Sequence, residues 1–187
     1  MNRSSIKAVA IGGSAGALHA LTTILRDVPP SFSPSIFITV HIPSDRNMLA
    51  DVLQAKCRIP VREAEDKEPV CAGTAYIAPP DYHLLIERAG TIALSSDEPV
   101  CFSRPSIDVL FESAADIYGP SLVGIVLSGA NADGAHGLKT IQDAGGMAVV
   151  EDPSHAYAAA MPEAALRACS EARVFSLDQL ATFLKSL

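Results

Sequence analysis

The 187-residue chain sets 14 Lys and Arg against 21 Asp and Glu, a net charge of −7, and is 49% hydrophobic and 19% charged. That length suits one full α/β domain with a single core and is short for two. The apolar content excludes disorder beyond the first few residues, and the acidic balance without a local basic cluster excludes a nucleic-acid groove.

Met1 to Lys7 is polar and leads into no apolar stretch of signal-peptide length, and no later run would span a bilayer. A cytoplasmic protein without membrane insertion is therefore expected, with residues 1–6 a tail and 7–187 one domain. KAVAIG (Lys7 to Gly12) reads as a short buried strand, and Ala17, Leu18, Leu21, Ile24 and Leu25 then recur at helical spacing until Pro29-Pro30. SIFITVHI (Ser35 to Ile42) is a second strand, followed by Pro43, a cap at Ser44, and a helix with Met48, Leu49, Val52 and Leu53 on one face. Such a βαβα rhythm implies a doubly wound, mostly parallel sheet flanked by helices.

Between Ile59 and Val100 the short runs AYIA, HLLIE and TIALS, separated by glycine and proline turns, predict a β-hairpin insertion. Helical spacing returns at Ile107, Leu110, Phe111, Ala114 and Tyr118. SLVGIVLSG (Ser121 to Gly129) is the most uniformly apolar strand and is expected at the centre. Ala135 to Asp143 reads as a helix, MAVVE as a strand, Pro162 as the first position of a helix, and Ser176-Leu177-Asp178-Gln179 as the capping box of the last one. Cys57, Cys71, Cys101 and Cys169 form no C-x-x-C pair and are expected to be mostly small buried hydrophobes.

In open parallel sheets ligands gather beyond the carboxyl ends of the strands. Three polar residues fall there: Ser14 after the first strand, His41 at the tip of the second, and Asp133 after the strand ending at Gly129. Gly12-x-Ser14-x-Gly16 satisfies G-x-S-x-G, whose glycines relieve crowding in a sharp strand-to-helix turn and expose the serine hydroxyl. Free N–H groups at the helix start, that of Ala15 among them, could face an oxyanion. The alternative is an ordinary glycine-rich turn with Ser14 as N-cap. A dinucleotide site is disfavoured, because G-x-G-x-x-G is absent and the second strand ends in His41 rather than an acid, and a P-loop lacks its Gly-Lys-Ser/Thr.

His41, read alone, is more often a satisfied structural histidine than a base, and Asp133 also reads as an N-cap for the helix from Ala135. Asp133 and His136 supply half a metal site without a second half, so neither metal nor cofactor is expected. Together the three strand-end loops supply a serine, a histidine and an aspartate in an order unlike that of the α/β-hydrolases, chymotrypsin or subtilisin.

Several separated blocks, AIGGSAGALHAL, VHIP, AYIAPPDYHLLIE, RPSIDVLFESAA, GIVLSGANADGAHGLKTIQDAGG and EDPSHAYAAAMPEAAL, resemble the catalytic domain of the chemotaxis protein-glutamate methylesterases. The resemblance spans Lys7 to Leu184. It implies a doubly wound domain with Ser14 as nucleophile, His41 as base and Asp133 as triad carboxylate. The implied substrates are glutamyl methyl esters, and in some members glutamines, on the cytoplasmic helices of chemoreceptors, without a cofactor. Gly13, Ala15, Arg104 and Ala130 are candidate oxyanion or substrate contacts; Arg104 precedes a helix and serves a local packing role equally well.

Family members often carry Ser-Thr-Gly-Gly where this chain has Ser14-Ala15-Gly16-Ala17. Gly129-Ala130-Asn131 replaces the usual Gly-Met-Gly, and Ala160 stands where a glycine usually precedes Met161-Pro162. Many relatives bear an N-terminal receiver domain; with the first strand starting at Lys7, phosphorylation control in cis is not expected. A stand-alone esterase and a piece of a larger protein, such as a fusion with the partner methyltransferase, both fit. The competing function is a non-catalytic receptor- or ligand-binding module on the same fold.

Overall fold

A computed structural model describes residues 6–41 and 48–187. The first apolar run forms β1 (Ala8–Gly13), buried throughout. The glycine turn then leads into α1 (Ala17–Leu25), which lays Ala17, Ala20, Leu21, Ile24 and Leu25 against the sheet. Strand β2 (Ser35–Val40) runs parallel to β1 with Gly13 opposite Val40. The expected turn at Pro43 and cap at Ser44 lie outside the described residues; α2 (Leu49–Gln54) is flanked by Met48.

The middle of the chain corrects one expectation. AYIA does not join a hairpin: β4 (Ala75–Ile77) is inserted parallel between β2 and β3 (Val61–Glu63). Its three residues are all buried, as a strand covered on both faces requires. HLLIE and TIALS do form the antiparallel hairpin, β5 (His83–Ile86) against β6 (Ile92–Ser95).

The remaining elements are α3 (Ile107–Tyr118), a 3-10 turn at Gly119–Ser121, β7 (Leu122–Val126), α4 (Ala135–Asp143), β8 (Met147–Glu151), α5 (Ala160–Ala168), β9 (Arg173–Phe175) and α6 (Leu177–Lys185). The seven strands of the main sheet stand in the order β3-β4-β2-β1-β7-β8-β9. All their pairings are parallel. The middle place belongs to β1, with β7 interior beside it. Helix α5 starts at Ala160 rather than at Pro162, whose missing N–H still falls in the first turn, where no intrahelical acceptor exists. The Ser176 capping box is formed as expected. Strand β9 carried no signal, because Arg173 and Val174 are exposed at the sheet edge.

Alternation along β1 divides the core in two. Val9 and Ile11 meet α1, α2 and α6 on one face, while Ala8 and Ala10 meet α3, α4, α5 and the hairpin on the other. The chain thus leaves β1 toward one face and β7 toward the opposite face, and their loops part to open a crevice at the carboxyl edge. Gly12 brings α3 into that crevice: a Cβ at Gly12 would stand 2.2 Å from Ile107 Cγ2. Among the described residues no helix is long and apolar enough to cross a membrane.

Candidate active site

Asp133 is fully buried at the crevice and receives four hydrogen bonds. The Ser106 hydroxyl donates to Oδ1 at 2.9 Å and the Asp108 N–H to the same oxygen at 3.0 Å. The Ile107 N–H donates to Oδ2 at 2.7 Å, and His41 Nε2 lies 2.8 Å from it. Asp133 is therefore not the N-cap of α4, where Gly134 holds that place without a side-chain bond. Instead its carboxylate meets the start of α3, whose free N–H groups and positive dipole end stabilise the anion. Burial pushes the Asp133 carboxyl up, but His41, the two N–H groups and Ser106 outweigh it and hold it below the ordinary 3.8.

An ionised acceptor on Oδ2 requires His41 Nε2 to carry a proton, so in the neutral ring Nδ1 is the basic atom. Asn131 Nδ2 stands 3.3 Å from Nδ1, and Asn131 Oδ1 accepts the Asp133 N–H at 3.2 Å. The His41 N–H donates to the Gly13 carbonyl at 3.2 Å, so the tip of β2 is tied to the residue before Ser14. Ser14 and His41 follow the paired residues Gly13 and Val40 on adjacent parallel strands. Among the described residues no hydrogen bond joins Ser14 Oγ to His41.

Ser14 is not an N-cap either. Gly16, at φ 87°, flanks α1 without a side-chain bond, a left-handed conformation that glycine adopts without steric cost. The Ser14 N–H donates to the Ser128 carbonyl at 2.9 Å, whereas the N–H groups of Ala15 and Ala130 meet no backbone acceptor among the described residues. Ser14 opens onto a cavity of about 850 Å³ lined also by Leu18, Thr22, Met48, Val52 and Tyr157. Arg104 turns back on its own loop, Nη1 donating to the carbonyls of Ser96 at 2.8 Å and Asp97 at 3.0 Å.

Sequence patterns did not single out Ser106, Asn131, Ser128 or His83 as parts of this site. Buried His83 accepts the Ser106 N–H on Nδ1 at 3.1 Å and bonds the Glu98 carbonyl through Nε2 at 3.1 Å, and so fixes the serine that reaches Asp133. The one available signal was Ser106 itself, a hydroxyl residue just before a helical run. His136 pairs with Glu112 at 2.8 Å rather than with Asp133. Atoms of Cys101, Asp108 and Asp133 approach within 4.8 Å of one another, but the donors converging on Asp133 make it an acceptor for hydrogen bonds rather than a cation ligand.

The profile of one protein family, described as CheB methylesterase, matches residues 9–184. A chain of Leptospira interrogans provisionally named protein-glutamate methylesterase/protein-glutamine glutaminase is 48% identical over 177 residues, covering 94% of this chain and 91% of its own. A Cupriavidus metallidurans protein named protein-glutamate methylesterase/protein-glutamine glutaminase 1 is 38% identical over 181 residues, 95% of this chain and 50% of its own. The crystal structure of the Thermotoga maritima CheB methylesterase catalytic domain superposes with a TM-score of 0.91 at 29% identity, covering 96% of this chain and 97% of that one. The chain thus spans nearly all of the Leptospira relative and half of the Cupriavidus one.

Proposed function

This chain belongs to the CheB methylesterase family, and on that premise we propose that it hydrolyses glutamyl methyl esters, and deamidates glutamines, on the cytoplasmic helices of chemoreceptors. Ser14 is the nucleophile, His41 the base, and Asp133 the carboxylate that orients and stabilises the imidazolium. The observation that carries this reading is the 2.8 Å contact between His41 and a buried, ionised Asp133, one strand away from a serine on a glycine turn.

In the first half-reaction Ser14 Oγ attacks the side-chain carbonyl while its proton passes to His41 Nδ1, with the Asn131 amide moving off that nitrogen. The tetrahedral oxyanion faces the unengaged N–H groups of Ala15 and Ala130. Collapse breaks the C–O bond, and His41 returns the proton to methoxide, so methanol leaves and an acyl-serine remains. Water, deprotonated by the same imidazole, then releases glutamate and regenerates Ser14. A glutamine substrate follows the same course with ammonia as leaving group.

Methanol release from methylated receptor membranes tests the reaction, and a fluorophosphonate probe tests the nucleophile. Wild type should release methanol and label on Ser14, and Ser14→Ala should do neither. Normal turnover in Ser14→Ala or His41→Ala would refute the triad, and receptor binding without methanol release would favour the non-catalytic module.

A further inference from the structure

Of the buried acids besides Asp133, the hydrolytic cycle uses the carboxylate of neither Asp108, which accepts the Gly137 N–H, nor Glu151. Glu151 ends β8, is 2% exposed, and accepts the Ser128 N–H on Oε2 at 2.7 Å. Ser128 lies beyond the last β7–β8 pair, Val126 with Val150, so its N–H looks to the carboxylate rather than to the ladder. Its other polar atoms face the nucleophile turn. The Ser128 carbonyl accepts the Ser14 N–H at 2.9 Å, and its hydroxyl donates to the Ala15 carbonyl at 2.7 Å while accepting the Ala158 N–H at 2.8 Å. A Cβ at Gly16 would come 3.1 Å from the same hydroxyl, so the turn is seated directly on Ser128.

We propose that Glu151 is a positioning residue for the nucleophile: its carboxylate anchors Ser128, and Ser128 holds the Ser14–Ala15 turn at the height acyl transfer needs. The inference rests on the reading of Ser14 as nucleophile. A buried carboxylate is an expensive way to satisfy a single N–H. Its position makes sense because that N–H belongs to the residue that fixes both the Ser14 amide and the Ala15 carbonyl. The residue whose carbonyl Ser128 holds, Ala15, is also the one whose N–H faces the oxyanion, so a shift of Ser128 moves nucleophile and oxyanion donor together. Such misplacement lowers the rate of the chemical step more than it weakens binding.

The test compares Glu151→Leu, which removes the acceptor, with Glu151→Gln, which keeps one. It follows Ser14 labelling by a small fluorophosphonate, turnover of a small glutamyl methyl ester, and amide hydrogen exchange at Ser14 and Ala158. Glu151→Leu should lower the labelling rate and kcat by on the order of tenfold or more with KM nearly unchanged, and should speed exchange at both amides. Glu151→Gln should restore all three readouts to near wild type. If Glu151→Leu does not fold, Ser128→Ala carries the test: it removes the hydroxyl bridge alone and should lower kcat at unchanged KM. A Glu151→Leu or Ser128→Ala protein that labels Ser14 as fast as wild type would overturn the inference while leaving the esterase reading intact. A wild-type protein that neither labels nor turns over would instead refute the esterase reading, on which the positioning role depends.

Discussion

Two buried carboxylates stand at the same edge of the sheet and carry opposite electrostatics. Asp133 receives four donors and lies below its ordinary value. Burial, helped by the Asp152 charge, pushes Glu151 above its ordinary 4.5, against the pull of its one hydrogen-bond donor, the Ser128 N–H, and the weaker one of His19. Burial opposes ionisation in both, so the number of donors decides the outcome. At Asp133 three of the four donors come from the start of a helix and the fourth is His41, whereas the one donor at Glu151 is a strand-end peptide. A carboxylate kept charged can orient and stabilise a cation beside it, whereas one held by a single peptide serves to fix that peptide.

The sharpest way to break the contrast is Asp133→Asn. The amide cannot accept from all four donors, and it no longer fixes the proton on His41 Nε2. Ester turnover should fall by roughly 10³- to 10⁴-fold, read as kcat at neutral pH. Retention of turnover within about tenfold of wild type would remove Asp133 from the mechanism.

A smaller step is Ser106→Ala, which withdraws one of the four donors and leaves the others. Stability should drop by about 1–3 kcal/mol in urea unfolding, and turnover by on the order of tenfold as the anion at Asp133 is less well held. Wild-type values for both would show that the two N–H groups and His41 suffice.

The smallest effect concerns pH and stability, and its sign differs between the two acids. Asp133 is lowered, so its contribution is present above the ordinary 3.8 and is lost as pH falls through its lower folded value. Glu151 is raised, so its contribution is complete below the ordinary 4.5 and is lost as pH rises through its folded value. Asp108, also raised by burial, adds to the second slope. Urea unfolding at a series of pH values should show wild type losing stability as pH rises above 4.5. Glu151→Gln should lose less over that range, and parallel curves would show that Glu151 titrates alike folded and unfolded.

The candidate residues were legible to different depths. Ser14, His41 and Asp133 could be picked out because apolar runs locate strand ends, and ligands gather at strand ends in parallel sheets. The partners that give Asp133 its charge could not. Ser106 lies 27 residues from it in sequence and Ile107 lies 26, and as isolated letters they are a helix cap and an apolar helix residue. Glu151 read simply as the last residue of an apolar strand, and His83 as a hairpin histidine. AYIA reads as a hairpin strand because so short an apolar run does not reveal whether one face or both will be covered.

By itself the sequence determined the alternation of strands and helices, the glycine turn that exposes Ser14, and the family to which the blocks belong. These depend on local periodicity, on backbone freedom at glycine, and on runs of residues that stay together along the chain. The tertiary structure decided which helix end meets Asp133, which nitrogen of His41 carries the proton, and which peptide Glu151 holds. Each of those depends on groups far apart in sequence that come within 3 Å only after β1 and β7 send their helices to opposite faces and α3 passes over Gly12.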